Sequence, residues 1–584
     1  DTGGNENTQF RIAGGLFRET TVYPGDFRYR RISGSMNLNH TSQNKKFLAS
    51  LSTTISSETN NLFRRDITFF ALSLPPNVPD FFDENGNLIF PEGSSANPYA
   101  ALESKYNNTF NNLVTNGVFS YMIHPDVRLK SSFGYTQIRR DEINSTPESA
   151  IDPAIRAFRE PETVVRNSNF ETIIFEPQIE FNKSFGKAKV NVLVGSTLQE
   201  STTAGTSILA SGFITDSSLE NIGAASETTV QDVDDIDYRY LAFFGRINFN
   251  WDNRYILNIV GRRDGSSRFG PGNRFDNFGS LGFAWNFAGE KFVKSSTKNV
   301  VSTGKLRASY GVTGNDQIGD YQYLNSYRLT RLPYQGVPGF EPSRLFNPNF
   351  TWERNKKFEV GIDLGFFKDR IFIASTFFRN RSDNQLVGIP LPQSVGFRSF
   401  LGNLPALVEN RGWEFEFVSR NIDSKKFSWT SSFNLTIPRN ELLEFPNLEE
   451  STFANSLEIG RDLSLQRLFR NTGVDPETGV YTFEDLDDDG NISNPNDLQG
   501  VGELRQDFFG GIQNNLRFNG MELDFLFQFV RQTGNSFFQG YTIPPGFLGN
   551  QPVQVLDRWQ EPGDLSNIQR FTQTFGPAGL AYFF

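Results

Sequence analysis

The chain has 584 residues, a formal net charge of −10, no cysteine and two histidines, His40 and His124. These counts exclude a disulfide scaffold and a cysteine-built metal centre, and an acidic chain is a poor nucleic-acid binder. Mean hydropathy is −0.43 and no stretch of about 18 apolar residues occurs, which excludes membrane-spanning helices but not a transmembrane barrel, whose strands alternate apolar and polar residues.

In chain order the dominant pattern has period two. Residues 31–40 and 47–56 read as two strands joined by a short polar turn. Residues 113–123 and 127–138 flank the turn His124-Pro125-Asp126. In 241–251, Leu241, Phe243, Ile247, Phe249 and Trp251 share one face, and Arg246, Asn248 and Asn250 share the other. Asp252–Arg254 then turn the chain into Tyr255, Leu257 and Ile259, again on one face. The unit recurs at 358–367 with 371–379, at 412–420 with 427–437, and at 512–518 with 521–530. The last pair is joined by Asn519-Gly520, the strongest short hairpin signal. Roughly 17 strands are expected, many about ten residues long, the length a tilted strand needs to cross a bilayer.

Between these pairs lie long segments rich in Pro, Asn, Asp and Ser: 57–111, 199–237, 314–350, 382–409 and 439–506. Alternating short and long connections mark an outer-membrane barrel, with short periplasmic turns and long extracellular loops. Aromatic residues gather beside the short turns (Trp251, Tyr255, Phe366, Phe367, Phe427, Trp429), as in an interfacial girdle. A basic side chain facing mid-bilayer costs about 2–4 kcal/mol and an acid somewhat less. Arg246, Asp363, Glu414 and Glu416 are therefore expected in the lumen. So polar a lumen is wet or filled by another polar domain, which implies a large all-β antiparallel barrel.

At this point the sequence resembles a known family. The run from Arg254 to Val293, the run from Gly304 to Tyr327, and residues 355–388, 410–417, 427–442 and 508–529 are similar to the barrel signatures of SusC/RagA-type TonB-dependent outer-membrane transporters. The resemblance runs from about Phe10 to Phe571. It implies a 22-stranded barrel in the outer membrane of a Gram-negative bacterium, of which residues 1–584 carry a part. The family's plug and about one strand are expected before Asp1, and the last few strands after Phe584. It further implies import of an oligosaccharide or peptide, a SusD-like surface lipoprotein as lid, contact with outer-membrane lipid, and TonB–ExbB–ExbD energy coupling through the N-terminal region. A homodimer of transporter–lid pairs is a further implication. The alternatives weighed beside it are a passive porin or structural barrel subunit of a surface complex, and a soluble all-β binding protein.

Three stretches hold the candidate site residues. Gly261–Phe275, "GRRDGSSRFGPGNRF", lacks the Gly-then-Lys-Ser/Thr pattern of a phosphate loop, and a strand pattern follows it instead of a helix. It reads as an outward hairpin tip turning at Gly270-Pro271-Gly272. Arg262, Arg263, Arg268 and Arg274 are expected to face the lumen or reach across the loop, towards acids such as Asp264 and Asp276 or towards cargo or plug. In 485–497, Asp485, Asp487 and Asp489 occupy positions 1, 3 and 5 of a calcium loop, with Gly490 at 6 and Asn491 offering a carbonyl at 7. Asn496 stands where a bidentate Glu is usual, with Asp497 beside it, so the alternatives are a structural Ca²⁺ site and a solvated turn. Tyr321, Tyr323 and Tyr327 beside Asn and Asp suit sugar or peptide capture. The acidic run Gln231–Asp237 reads as solvated loop. No constellation favours catalysis, and no cofactor beyond Ca²⁺ is expected.

Overall fold

The computed structural model describes residues 1–63, 66–90, 97–297, 300–330, 334–335, 337, 339–397, 399–494, 496–535, 545–547 and 549–573. The period-two segments form strands β1 Thr2–Gly4, β2 Thr8–Thr20, β3 Arg28–Thr41, β4 Phe47–Phe63, β5 Lys105–His124, β6 Val127–Thr146, β7 Glu162–Phe185, β8 Ala188–Ser211, β9 Glu227–Trp251, β10 Tyr255–Ser266, β11 Phe275–Trp285 and β12 Val301–Asn315. The chain continues through β13 Ser326–Leu329, β14 Phe340–Arg344, β15 Glu353–Phe366, β16 Ile371–Asp383, β17 Gln385–Pro390, β18 Ser399–Leu404, β19 Leu407–Asp423, β20 Phe427–Glu444, β21 Leu465–Phe469, β22 Asn471–Val474, β23 Tyr481–Phe483, β24 Leu498–Glu503, β25 Gln506–Phe518 and β26 Met521–Gln532. Eighteen of them make one sheet. Each pairs antiparallel with the next: β1 through β12 in order, then β15, β16, β19, β20, β25 and β26. A barrel of this strand number encloses a space too wide for side chains to fill.

The short turns follow from local chemistry. Asp252 and Asn253 sit at φ 55° and 56°, and Asn519 and Gly520 at 46° and 86°. Positive φ at both central residues gives the turn whose twist matches the flanking strands. The two faces separate as alternation requires. Phe243, Ile247, Trp251, Ile259, Trp413 and Phe417 are exposed on the outer face. Arg246, Glu414 and Glu416 lie on the opposite phase of the same strands, and Asp363 on the phase opposite exposed Ile362 of β15, as expected. Trp251 stands opposite Tyr255, and Tyr255 opposite Trp285, at the short-turn rim.

The main sheet's eighteen strands agree with the roughly 17 expected, and two other expectations need correction. Several strands far exceed ten residues: β7 and β8 have 24 and β9 has 25. A 25-residue strand tilted by about 40° rises roughly 60 Å, more than twice the ~25 Å apolar band. The surplus stands outside the bilayer, where charge costs little, so Gln231–Asp237 is not loop but the solvated upper part of β9.

The long connections also carry structure of their own. β13 with β14, β17 with β18, β21 with β24 and β22 with β23 form small antiparallel pairs. Two apolar cores hold these loops together. One gathers Phe269, Phe278, Phe350 and Trp352 against Leu386 and Leu401. The other gathers Leu404, Val408, Leu442 and Phe445 against Val387 and Ile389. The β17–β18 hairpin contributes to both. After β26 the chain returns to the first long loop, where Asn550 donates to the carbonyls of Ser73 and Leu72 at 2.8 and 3.0 Å.

Candidate functional site: polar lumen and extracellular mouth

Charged and polar wall residues gather on the inner phase. On β12, Arg307 donates to Glu359 at 2.7 Å and to Thr376 Oγ1 at 2.7 Å, and its Nε lies 3.5 Å from Asp363. The guanidinium passes over Gly361, where an added Cβ would sit 2.8 Å from Arg307 Cζ. On β9, Arg246 donates to Asn191 Oδ1 at 2.9 Å. Beside them Asn258, Ser280, Ser309, Lys357, Asn380 and Glu414 line a niche of about 480 Å³ in the inner wall. The sequence marked Arg246, Asp363 and Glu414 by their phase. It did not mark Arg307, although the Lys305–Arg307–Ser309 alternation carries the same signal.

At the mouth, the stretch 261–275 is the outward hairpin expected of it. Its arginines have four different surroundings. Arg262 donates from Nε to both oxygens of Asp264 at 2.8 Å, and from Nη2 to the Tyr240 hydroxyl at 2.9 Å. Arg263, one residue on, has the opposite phase and so does not share the inward face of Arg262. It lies 5.4 Å above the Phe275 ring and donates to Asn277 at 3.0 Å. Arg268 donates to Asp320 and to the Asp316 carbonyl, both at 3.0 Å, with its guanidinium 4.3 Å over the Tyr238 ring. Tyr238 in turn donates to Asp316 at 2.8 Å. Arg274 is exposed, and its carbonyl accepts from Trp352 Nε1 at 3.1 Å. Asp276 pairs with Arg354 at 2.8 Å instead of with an arginine of this stretch.

The three tyrosines do not converge. Tyr321 donates its hydroxyl to the Asp237 carbonyl at 3.3 Å and accepts from that residue's N–H at 2.9 Å, on the free edge of β9. Tyr323 packs into the aromatic core beside Gly270. Tyr327 is 60% exposed on β13. Sequence proximity brought them together on paper, and the chain's turns part them.

The Asp-rich loop lies between β23 and β24. One carboxylate oxygen each from Asp485, Asp487 and Asp489 falls within 4.8 Å of the others. Gly490 takes φ 83°, the sharp turn the calcium loop needs at its sixth position. Asp485 Oδ1 is shielded from solvent and has no hydrogen-bond partner. The Asn491 N–H donates to Asp489 Oδ1 at 2.7 Å. Asp497, expected as a ligand, is fully buried apart from the three, and its oxygens accept the N–H groups of Leu486 and Ser493 at 2.7 Å. The Ser493 and Leu486 amides hold its carboxyl below the usual carboxylate range despite the burial. Asp497 therefore fixes the loop's shape.

With this geometry in place, comparison with known proteins is informative. The family model "TonB dependent receptor-like, beta-barrel" matches residues 49–458. TonB-dependent receptor P39 of Formosa agariphila is 26% identical over 627 aligned residues, covering 97% of this chain and 59% of the relative. TonB-dependent receptor SusC of Bacteroides thetaiotaomicron is 28% identical over 380 residues, covering 62% of this chain and 36% of its own. The chain spans about six-tenths of the length of the curated relatives it matches almost throughout. Among solved structures, a chain of the RagAB peptide transporter superposes with a TM-score of 0.83 at 21% identity, over 98% of this chain and 66% of that one. That likeness establishes the fold.

Proposed function

Since the chain belongs to the TonB-dependent receptor β-barrel family, we propose that it is the barrel of an outer-membrane importer for a bulky oligosaccharide or peptide, working with a SusD-like lipoprotein as lid. The observation that carries this is the separation of faces. An apolar outer wall meets lipid, while Arg246, Arg307, Glu359, Asp363 and Glu414 line a lumen of porin width or more. A lumen with this lining solvates a polar cargo and can hold a polar plug. SusC is by name a TonB-dependent receptor and RagAB a peptide transporter, and the chain's resemblance to them supports the reading. The work is binding and displacement, with no covalent step. Energy is supplied through TonB–ExbB–ExbD acting on the segment that precedes the barrel in the family.

The extracellular mouth is the place for capture. Arg268, Asp316, Asp320 and Tyr238 brace it, and Arg274 and Tyr327 present exposed groups to a cargo or lid. The Asp485, Asp487 and Asp489 carboxylates would hold one Ca²⁺ as a structural ion, bracing the small strands around them.

The test uses cells of the source bacterium carrying the full-length protein, a deletion of it, or a deletion of the SusD-like lipoprotein proposed as its lid. Labelled oligosaccharides and oligopeptides are offered as cargo. The proposal expects one class to enter only when both proteins are present, and equal entry in all three strains overturns it.

A further inference from the structure

The outer wall carries a groove of about 580 Å³ that neither the lumen nor the mouth uses. Its floor is a row of small side chains on three consecutive strands: Ser131 on β6, Pro177 on β7 and Ser196 on β8. Phe119 stands opposite Ser131, Ser131 opposite Pro177, and Phe243 opposite Ser196, so an aromatic ring closes each end. One bank is the next row of outward residues, Leu129, Ile179 and Val194, paired across the same strands. On the far side of the floor the next outward row is Phe133, Phe175 and Leu198, which flanks the groove without lining it. All six residues of these two rows are exposed.

The depression has a backbone cause. Pairing of β7 with β8 runs to Phe175–Leu198 and resumes at Gln178–Gly195. Pro177 lies in the gap, having no N–H to give the ladder. Ser196 donates to the Ala242 carbonyl at 2.9 Å, so its hydroxyl is satisfied within the wall. What the groove offers is apolar, and its size falls in the range of small-molecule sites, about 300–1,000 Å³.

The groove is continuous with the lipid-facing surface, and large apolar rows flank it on both sides. Its occupant therefore comes from the hydrocarbon layer. We propose that it seats one acyl chain of an outer-membrane phospholipid, held as a bound lipid while its neighbours exchange. Its floor spans about 10 Å between the outer two of its three strands, a distance that an unbranched chain can cross against the Leu129, Ile179 and Val194 row.

The test is native mass spectrometry of the full-length protein in mild detergent, titrated with a dioleoyl phosphatidylethanolamine probe. The wild type should retain one phospholipid at detergent levels that strip the others. The filled variant Ser131→Leu/Ser196→Leu should lose it, with at least tenfold weaker retention. Ser375→Leu, on the outward phase of β16, should keep it. Heat-modifiable mobility on gels reports that each barrel is folded. Equal retention in the filled variant would overturn the proposal. So would loss of a homodimer with lipid retention unchanged, which would assign the groove to a second copy of the chain.

Discussion

Arg307 shows how a single lumenal charge is kept in place. Its three partners lie on the next two strands, and Gly361 leaves the gap through which the guanidinium reaches them. A side chain at 361 cannot share that space. Gly361→Val should lower barrel stability by about 1–3 kcal/mol, the usual cost of overpacking. Thermal unfolding by heat-modifiable gel shift reads this, and an unchanged midpoint would contradict the placement. Asp497 offers a pH test at the same scale. Its folded carboxyl titrates below its unfolded value of about 3.9. The stability it contributes is therefore complete above that value and is lost as pH falls through the lower, folded one. Hydrogen exchange at the Leu486 and Ser493 amides should show protection at neutral pH that fades in strong acid. In Asp497→Asn the protection should already be reduced at neutral pH. Equal protection in both proteins at every pH would count against this role.

At the scale of elements, the strands were legible and the loops were not. Period-two patterning located six strand pairs, though not β7 with β8, because a face turned to lipid and a face turned to water leave a signal in each successive residue. Asn519-Gly520 and Asp252-Asn253 announced their turns through the positive φ they tolerate. The upper half of β9 was misread because above the bilayer both faces are wet and the alternation disappears; Asp232, Asp234, Asp235 and Asp237 fall on both phases. β17 and β18 were missed for another reason. They are six residues each and gain their stability from two apolar cores made by distant parts of the chain. The arginines of 261–275 could be assigned to a hairpin but not to partners, since Asp316 and Asp320 arrive from the connection after β12 and Asp276 is taken by Arg354 of β15.

Two predictions belong to this scale. The chain has no cysteine of its own, so Val233→Cys and Asn253→Cys can be labelled singly. A membrane-impermeant maleimide on intact cells should modify Val233→Cys, at the exposed upper part of β9, and spare Asn253→Cys in its short turn. The reverse pattern would invert the barrel's orientation. For the Asp-rich loop, removal of Ca²⁺ with a chelator should speed proteolytic cleavage between residues 485 and 503. Asp485→Asn/Asp489→Asn should cleave at the chelated rate whether or not Ca²⁺ is present. Cleavage of the wild type indifferent to Ca²⁺ would reduce the loop to a solvated turn.

The whole molecule joins a lipid-facing exterior, a charged interior too wide for its own side chains, and a mouth braced by loop cores and ion pairs. Family membership adds that such barrels belong to TonB-dependent receptors. A passive pore with the same wall would let cargo through without energy, so energy dependence separates the two readings. The most direct measurement is the initial rate of uptake of the oligosaccharide or peptide proposed as cargo by cells expressing the full-length protein, with TonB present or deleted. The account predicts that uptake falls to the level of cells lacking the protein when TonB is removed. Uptake that continues undiminished without TonB would contradict it.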